Sequence, residues 1–481
     1  MKHYSITMTP LFCKFGEFSF CALNNAEQAV PIILTNGSTV KDGKNLSSFL
    51  ETAATRYLLA ITAGKEIRIN DSAIRRLMTI AEDCRAGLVY SDYFIEKENE
   101  LVSHPLIDYQ PGSIRDDFNF GYVLLFSTAA VKTILKKYGA LPDDPALAFY
   151  DLRLKISLDY SIFHIPEFLY SVVEKKATGA KNKNKPQESH FAYVAAQNAA
   201  RQKKLEKLAT NYLKLQGAHL PLRTKKAGQA NVSFPVLASV IIPVLNRKKT
   251  IEDALRSALA QNTNFNFNII VVDNHSSDGT TQIVKKLAAR YPKIQHLIPC
   301  RRDLSIGGCW NEAIYSPCCG RYAAQLDSDD LYSAPDTLQN IADAFAEGDY
   351  AMVVGSYTIV NERLHKIPPG LIDHREWTNA NGHNNALRIN GLGAPRAFNT
   401  AVLRQIGFPN VGYGEDYAIA LRITREYKIG RIYQSLYLCR RWPDNTDAAL
   451  SGEKQNRHDF YKDKLRTAEI SARQIMNKKG G

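Results

Sequence analysis

The chain lacks any run of eighteen apolar residues, so no membrane-spanning helix is expected. Met1 to Val30 has Lys2 but no continuous apolar stretch, so no secretory leader is expected either. No CxxC pair occurs among the eight cysteines, and no histidines accompany them at zinc spacing. In a chain of 481 residues that usage points away from a disulfide framework and towards reduced thiols in a cytoplasmic protein. Low-complexity and collagen-like tracts are also missing. With 45% hydrophobic and 23% charged residues the composition is that of a folded globular protein, and the length suggests about three domains.

The charge is uneven. The chain carries +13, and thirteen Lys and Arg face only three Glu between Glu174 and Lys226, so ten of those net charges lie in one connecting segment. A basic connector in an otherwise near-neutral chain argues against nucleic-acid binding as the main role. Within it, Lys181–Gln187 reads as a loop, and a helix is predicted from about Glu188 to Gln216, stopped by Gly217. Leu205, Leu208, Tyr212 and Leu215 share one face of that helix. Packing on a domain and peripheral contact of the lysine face with an anionic membrane are both open readings. Leu220–Asn231 reads as a linker.

From Phe234 the texture changes. Ser239–Pro243 and Asn268–Asp273 are short, nearly continuous apolar runs, as in strands buried on both faces of a parallel sheet. A helix capped by Thr250 lies between them, and another starts near Thr280. This βαβα order predicts an α/β fold with a mixed, mostly parallel sheet flanked by helices, its ligand edge at the strand C-terminal ends. A further strand, Arg321–Leu326, ends in Asp327, Asp329 and Asp330. A helix capped by Ser333 and a strand Tyr350–Ile359 follow. Ile367–Arg396, rich in Gly, Pro, Asn and His, reads as a long loop, in which His374, Trp377 and His383 either pack internally or line a ligand pocket.

The chain also repeats itself. Arg56–Ser91 aligns without a gap on Arg321–Ser356, and Tyr150–Tyr170 aligns on Tyr417–Tyr437. The apolar frame is shared and the carboxylates are not: Asp327 faces Thr62, and Glu415 and Asp416 face Ala148 and Phe149. The first copy therefore reads as a second, partial α/β domain without that chemistry. The expected division is residues 1–175 for this domain, 176–233 for the connector, 234–445 for the catalytic domain and 446–481 for a helical tail.

Three carboxylates at a strand end suit a hard cation, Mg²⁺ or Mn²⁺, held together with substrate phosphates; a solvated, helix-capping turn is the plain alternative. Several ordered motifs sharpen this: SVIIPVLNR at Ser239–Arg247, IIVVDNHSSDGT at Ile269–Thr280, GGCWNEAI at Gly307–Ile314, LDSDD at Leu326–Asp330, GYGEDYAIALRI at Gly412–Ile423 and CRRWPDN at Cys439–Asn445. Together they resemble the family 2 glycosyltransferases with the GT-A fold, from about Ser239 to Trp442. Leu245 departs from the pattern, because the family often has an aromatic there.

The resemblance implies a metal-dependent, inverting transfer of a sugar from a nucleotide-diphosphate donor, UDP favoured, to a hydroxyl of a glycan or lipid-linked acceptor. It implies nucleobase contacts from Asp273 and the backbone near Pro243, with Asn246 on the same edge. Asp327 or Asp329 goes to the ribose side, and Asp329 or Asp330 to the metal. Arg440, Arg441 and Trp442 lie near the diphosphate, with Asp416 as general base and Glu415 beside it. A non-catalytic tandem scaffold binding glycan or partner proteins is the alternative, and oligomerisation is left open.

Overall fold

The computed structural model describes residues 13–15, 18–23, 39–40, 43–62, 66–98, 100–174, 198–222, 225–227, 233–442 and 451–479. It divides into two units: Met1–Lys183 with Lys204–Ala218 and Leu450–Lys478, and Asn184–Lys203 with His219–Ala449.

The second unit is built on one sheet whose strands run in space Ile294–Leu297, Phe267–Asp273, Ala238–Val244, Tyr322–Gln325, Arg396–Asn399, Tyr350–Asn361, Lys428–Arg441 and Leu331–Tyr332. The first four are mutually parallel. Arg396–Asn399 is antiparallel to both neighbours. The apolar runs at Ala238–Val244 and Phe267–Asp273 are buried almost throughout, because helices such as Ile251–Leu259 and Thr280–Arg290 cover the sheet. Val244 pairs with Asp273, and Ile241 with Gln325, so three strands end on one edge. The fold class is the expected one.

The first unit repeats this arrangement. Its order Phe18–Leu23, Tyr57–Thr62, Val123–Ser127, Ala86–Lys97, Ser161–Val173, Glu66–Ile69 matches Ala238–Val244, Tyr322–Gln325, Arg396–Asn399, Tyr350–Asn361, Lys428–Arg441, Leu331–Tyr332 strand for strand. The difference lies at the outer side. Phe18–Leu23 runs antiparallel to Tyr57–Thr62, where its counterpart runs parallel.

Three expectations change. Ile367–Arg396 is not all loop: Lys366–Ile372 is a strand paired to one side of Tyr350–Asn361, and an outer strand tolerates the prolines that suggested a loop. The helix expected from Ser333 begins instead at Thr337. The segment after 446 is not a tail, because Gly452–Lys479 is a helix of the first unit with Asp463, Arg466 and Arg473 fully buried. Those charges are tolerated because they are paired: Arg466 with Asp463 at 2.7 Å, Arg473 with Glu469 at 2.7 Å, and Arg115 with Asp463 at 3.3 Å.

The connector helix is Ala199–Leu215. It buries Leu205, Ala209, Tyr212 and Leu213 inside the protein and leaves Lys203, Lys204, Lys207 and Lys214 exposed. Lys175, Lys176, the loop Lys181–Gln187, the first turns of the expected helix (188–197), Arg223 and Pro443–Asn445 lie outside the described residues. Among the described residues no helix is long and apolar enough to cross a membrane.

A Cβ on Gly112 would lie 2.1 Å from the Asp463 carbonyl oxygen and 2.3 Å from the Thr467 amide nitrogen, both backbone atoms. Gly112→Ala is therefore expected to destabilise the protein by about 1–3 kcal/mol, as overpacking does. A lowered urea midpoint would show it, and an unchanged midpoint would mean that the helix sits further from residue 112.

Candidate functional site

The expected residues fall into two groups on the sheet edge. The first surrounds the ends of Ala238–Val244 and Phe267–Asp273. Asp273 is fully buried and already engaged: Oδ1 accepts from the Ser276 amide at 2.9 Å, and Oδ2 accepts from Thr281 Oγ1 and faces His296 Nε2 at 3.3 Å. Burial works against its charge, but these donors outweigh burial and hold the carboxyl below its ordinary range. Asn246 takes a left-handed backbone (φ 52°), which Asn tolerates. Its Oδ1 accepts from the Ser277 amide at 2.8 Å, and its own amide donates to Ser276 Oγ at 3.0 Å. Asp273 and Asn246 thus fasten the two loops to each other. Pro243 is half-buried one residue before the strand end, and Leu245 is 49% exposed.

Asn274, which sequence reasoning passed over, is placed differently. Its Nδ2 donates to the Leu304 carbonyl at 2.8 Å, which fixes the amide orientation. Its Oδ1 is buried with no hydrogen-bond partner.

The second group is the acidic turn after Tyr322–Gln325. Both oxygens of Asp327 accept from Gln325 Nε2, at 2.9 and 3.0 Å, and the Asp327 amide donates to Tyr437 Oη at 2.8 Å. Asp330 is buried, and its Oδ1 accepts from the Arg440 amide at 2.8 Å. Burial raises the pKa of both carboxyls, Asp330 well above the usual range, and neighbouring carboxylates add to the shift. Asp329 is 26% exposed, with Arg247 Nε 3.6 Å from its Oδ2.

Arg440 is not a solvent-facing donor. It is buried, its Nε donates to the Asp329 carbonyl, its Nη1 meets Asp253 Oδ2 at 2.9 Å, and its guanidinium lies 5.2 Å from the centroid of the Trp442 ring. The turn is therefore braced from beneath by Arg440, while Arg441 sits half-buried beside it at the end of Lys428–Arg441.

Glu415 and Asp416 open the helix Glu415–Thr424. Glu415 is buried, and burial first and Asp416 second push its pKa to about 8. Asp416 is 27% exposed; its Oδ1 accepts from the Tyr417 amide at 2.7 Å, and its Oδ2 pairs with Arg396 Nη1 at 2.5 Å.

Arg396, absent from the expected set, joins the two acidic groups. Its amide donates to Gln325 Oε1 at 3.2 Å, and the same Gln325 holds Asp327. Burial opposes the guanidinium charge, but Asp416, Asp327 and Glu415 outweigh it. No spacing rule singles out this arginine. Its position depends on the antiparallel pairing of Ala324 with Ala397, which brings residues far apart in sequence to one strand end.

Gly307 and Gly308 serve packing. A Cβ on Gly307 would lie 1.9 Å from the Pro409 carbonyl oxygen, and one on Gly308 would lie 2.5 Å from Asn410 Oδ1. Asn311 holds Phe408 through two hydrogen bonds, at 2.8 and 2.9 Å. The helix Ile306–Tyr315 thereby seats the loop that leads into Glu415. The histidines of the long segment pack internally: His374 on Glu376 at 2.8 Å, and His383 on the Leu220 carbonyl at 2.8 Å.

Among the described residues no three His, Cys, Asp or Glu side chains form a ready cage for a metal ion. The acidic turn fits a different arrangement, with one or two carboxylates and the remaining oxygens supplied by a phosphorylated ligand, as Mg²⁺-type ions accept. Asp329 is the accessible carboxylate for it, with Asp330 behind.

Residues 239–406 match the profile of Glycosyl transferase family 2. The chain is 31% identical over 122 residues to the putative glycosyltransferase EpsE of Bacillus subtilis, a match covering 25% of this chain and 43% of that protein. It is 32% identical over 127 residues to the putative teichuronic acid biosynthesis glycosyltransferase TuaG of the same organism, covering 26% and 48%. The chain thus spans less than half the length of these curated relatives. Among solved structures, Staphylococcus aureus TarS 1–349 in complex with UDP-GlcNAc aligns at 22% identity and a TM-score of 0.39, over 48% of this chain and 66% of that one. The mannosyltransferase PcManGT of Pyrobaculum calidifontis, in complex with GDP-Man and Mn²⁺, aligns at 17% and 0.33, over 59% and 86%.

A carboxyl with a folded pKa of about 8, against an ordinary value of 4.5, binds its proton more tightly in the folded chain. Its contribution to stability is therefore lost as pH rises between those values. Glu415→Gln is expected to flatten the fall in melting temperature between pH 5 and 8 and to raise stability at pH 8. An unchanged slope would assign the titration to another group.

Proposed function

We propose that the second unit transfers a sugar from a nucleotide-diphosphate donor, UDP favoured, to a hydroxyl of a glycan or lipid-linked acceptor, with inversion. One observation carries this reading: within a family 2 segment, the acidic turn Asp327–Asp330 and the pair Glu415–Asp416 share one sheet edge, linked through Gln325 and Arg396.

The roles follow from where each side chain lies. Asp273 and Asn246 shape the base-binding loops, and the Asn274 Oδ1 offers the buried acceptor that a base N–H needs. Asp327 lies towards the ribose. Asp329 and Asp330 would hold a divalent cation, Mn²⁺ or Mg²⁺, which when bound offsets charge on the departing nucleotide. Asp416 takes the proton of the acceptor hydroxyl while that oxygen attacks the anomeric carbon from the side opposite the diphosphate. The bond from that carbon to the phosphate oxygen breaks, and the nucleoside diphosphate leaves with the electron pair. Glu415, protonated near neutral pH, adds no second negative charge beside the base. Arg440 and Trp442 brace the acidic turn, and Arg441 faces the diphosphate side.

The exposed lysines of Ala199–Leu215 suit peripheral contact with an anionic membrane on the cytoplasmic side, where a lipid-linked acceptor would be presented. The first unit has no counterpart of the acidic residues and serves acceptor binding or assembly.

Asp416→Asn is expected to lower transfer by about 10²–10⁴-fold, the usual contribution of a general base, without loss of nucleotide binding; unchanged turnover would remove Asp416 from that role. Melting temperature in UDP or GDP with Mn²⁺ tests the donor site. A ligand at about 100 times its Kd adds roughly 2.7 kcal/mol, a shift of several degrees in wild type that Asp329→Ala should abolish. No shift with either nucleotide would favour the scaffold reading.

A further inference from the structure

We propose that Arg396 is a two-position latch: it covers Asp416 while the donor site is empty and turns to the diphosphate when a nucleotide binds, opening Asp416 to the acceptor. The inference rests on the donor reading above and adds an order of events to it.

Three observations carry it. First, both Asp416 oxygens are engaged, Oδ1 by the Tyr417 amide and Oδ2 by Arg396, so the carboxylate meant to receive a proton faces a guanidinium instead. A base held against a fixed cation is a weak base. Second, the Arg396 backbone is anchored. Its amide is held by Gln325 Oε1, and the adjoining Ala397 lies in register with Ala324 and Val353. Only the side chain is left to move; its Nη1 is held by Asp416 and by the Gly393 carbonyl at 3.0 Å, and it is 18% exposed at the open edge. Third, the Gln325 side chain that holds the Arg396 amide also holds both oxygens of Asp327, the first residue of the turn assigned to the donor, so the arginine is rooted beside that turn. A diphosphate arriving at that turn brings several anionic oxygens suited to the planar fork of arginine, and it competes with a single carboxylate.

The consequence is donor before acceptor. An acceptor hydroxyl meets a free base only after the nucleotide has drawn Arg396 away, which limits proton abstraction to the loaded site.

A binding cycle tests the latch without knowledge of the sugar. UDP affinity in Mn²⁺ is measured by calorimetry for wild type, Asp416→Asn, Arg396→Gln and the double variant, with GDP in parallel. Asp416→Asn frees Arg396, so nucleotide should bind about tenfold tighter, equivalent to about 1.4 kcal/mol. Arg396→Gln should weaken binding by a similar factor, and the double variant should match Arg396→Gln alone. If Asp416→Asn acts only by removing a negative charge, its gain persists in the Arg396→Gln background, and the latch is overturned. Binding indifferent to both substitutions overturns it as well. Should Arg396→Gln fail to fold, Arg396→Lys takes its place in the cycle, and an unaltered affinity in Asp416→Asn alone is sufficient refutation. If wild type binds neither UDP nor GDP, the donor reading itself fails and takes the latch with it.

Discussion

Burying negative charge at one sheet edge is the constraint around which the second unit is arranged. Asp327, Asp330 and Glu415 are withdrawn from water, and each would prefer to be neutral there. Three polar groups make the arrangement tenable. Gln325 satisfies both oxygens of Asp327, the Arg440 amide satisfies Asp330, and Arg396 supplies a counter-charge to Asp416 within reach of Asp327 and Glu415. All of them sit where they do because parallel strands end together and one antiparallel strand returns between them.

The first unit shows the same sheet without the constraint. By the repeat alignment and the strand registers, Gln325, Arg396 and Asp416 correspond to Ala60, Leu124 and Phe149. Ala60 and Leu124 are wholly buried, and Phe149 packs on the same apolar core. One hydroxyl persists: Tyr170 and Tyr437 are equivalent, and each accepts a backbone amide at that edge, from Tyr122 and Asp327. With no carboxylates to compensate, the position fills with apolar and aromatic side chains, which is the cheaper way to close a strand edge.

Much of this was legible in the sequence. Ser239–Pro243 and Asn268–Asp273 gave their strands through unbroken apolar runs, and the repeat was visible because residues such as Tyr170 and Tyr437 kept their spacing. The clustered carboxylates marked the edge. What escaped was whatever depends on pairing between distant segments. Arg396 and Gln325 are single polar residues in ordinary strands, and only the register makes them neighbours. The nucleobase contact of Asp273 came from the family resemblance; the register adds that its oxygens accept from Ser276 and Thr281 and face His296. Gly307 and Asn311 stood in a motif of the resemblance with no role attached, and they seat the loop before Glu415.

The helix Gly452–Lys479 has a consequence for how the chain comes into being. It completes the first unit, yet it is the last part described. A ribosome adding about 5–20 residues per second would release the bulk of the first unit many seconds before its closing helix is made. During that interval Arg115, Ser113 and Gly112 wait for Asp463 and Thr467. The second unit has all its strands in hand sooner, so vectorial synthesis favours the later unit in sequence reaching its final form first.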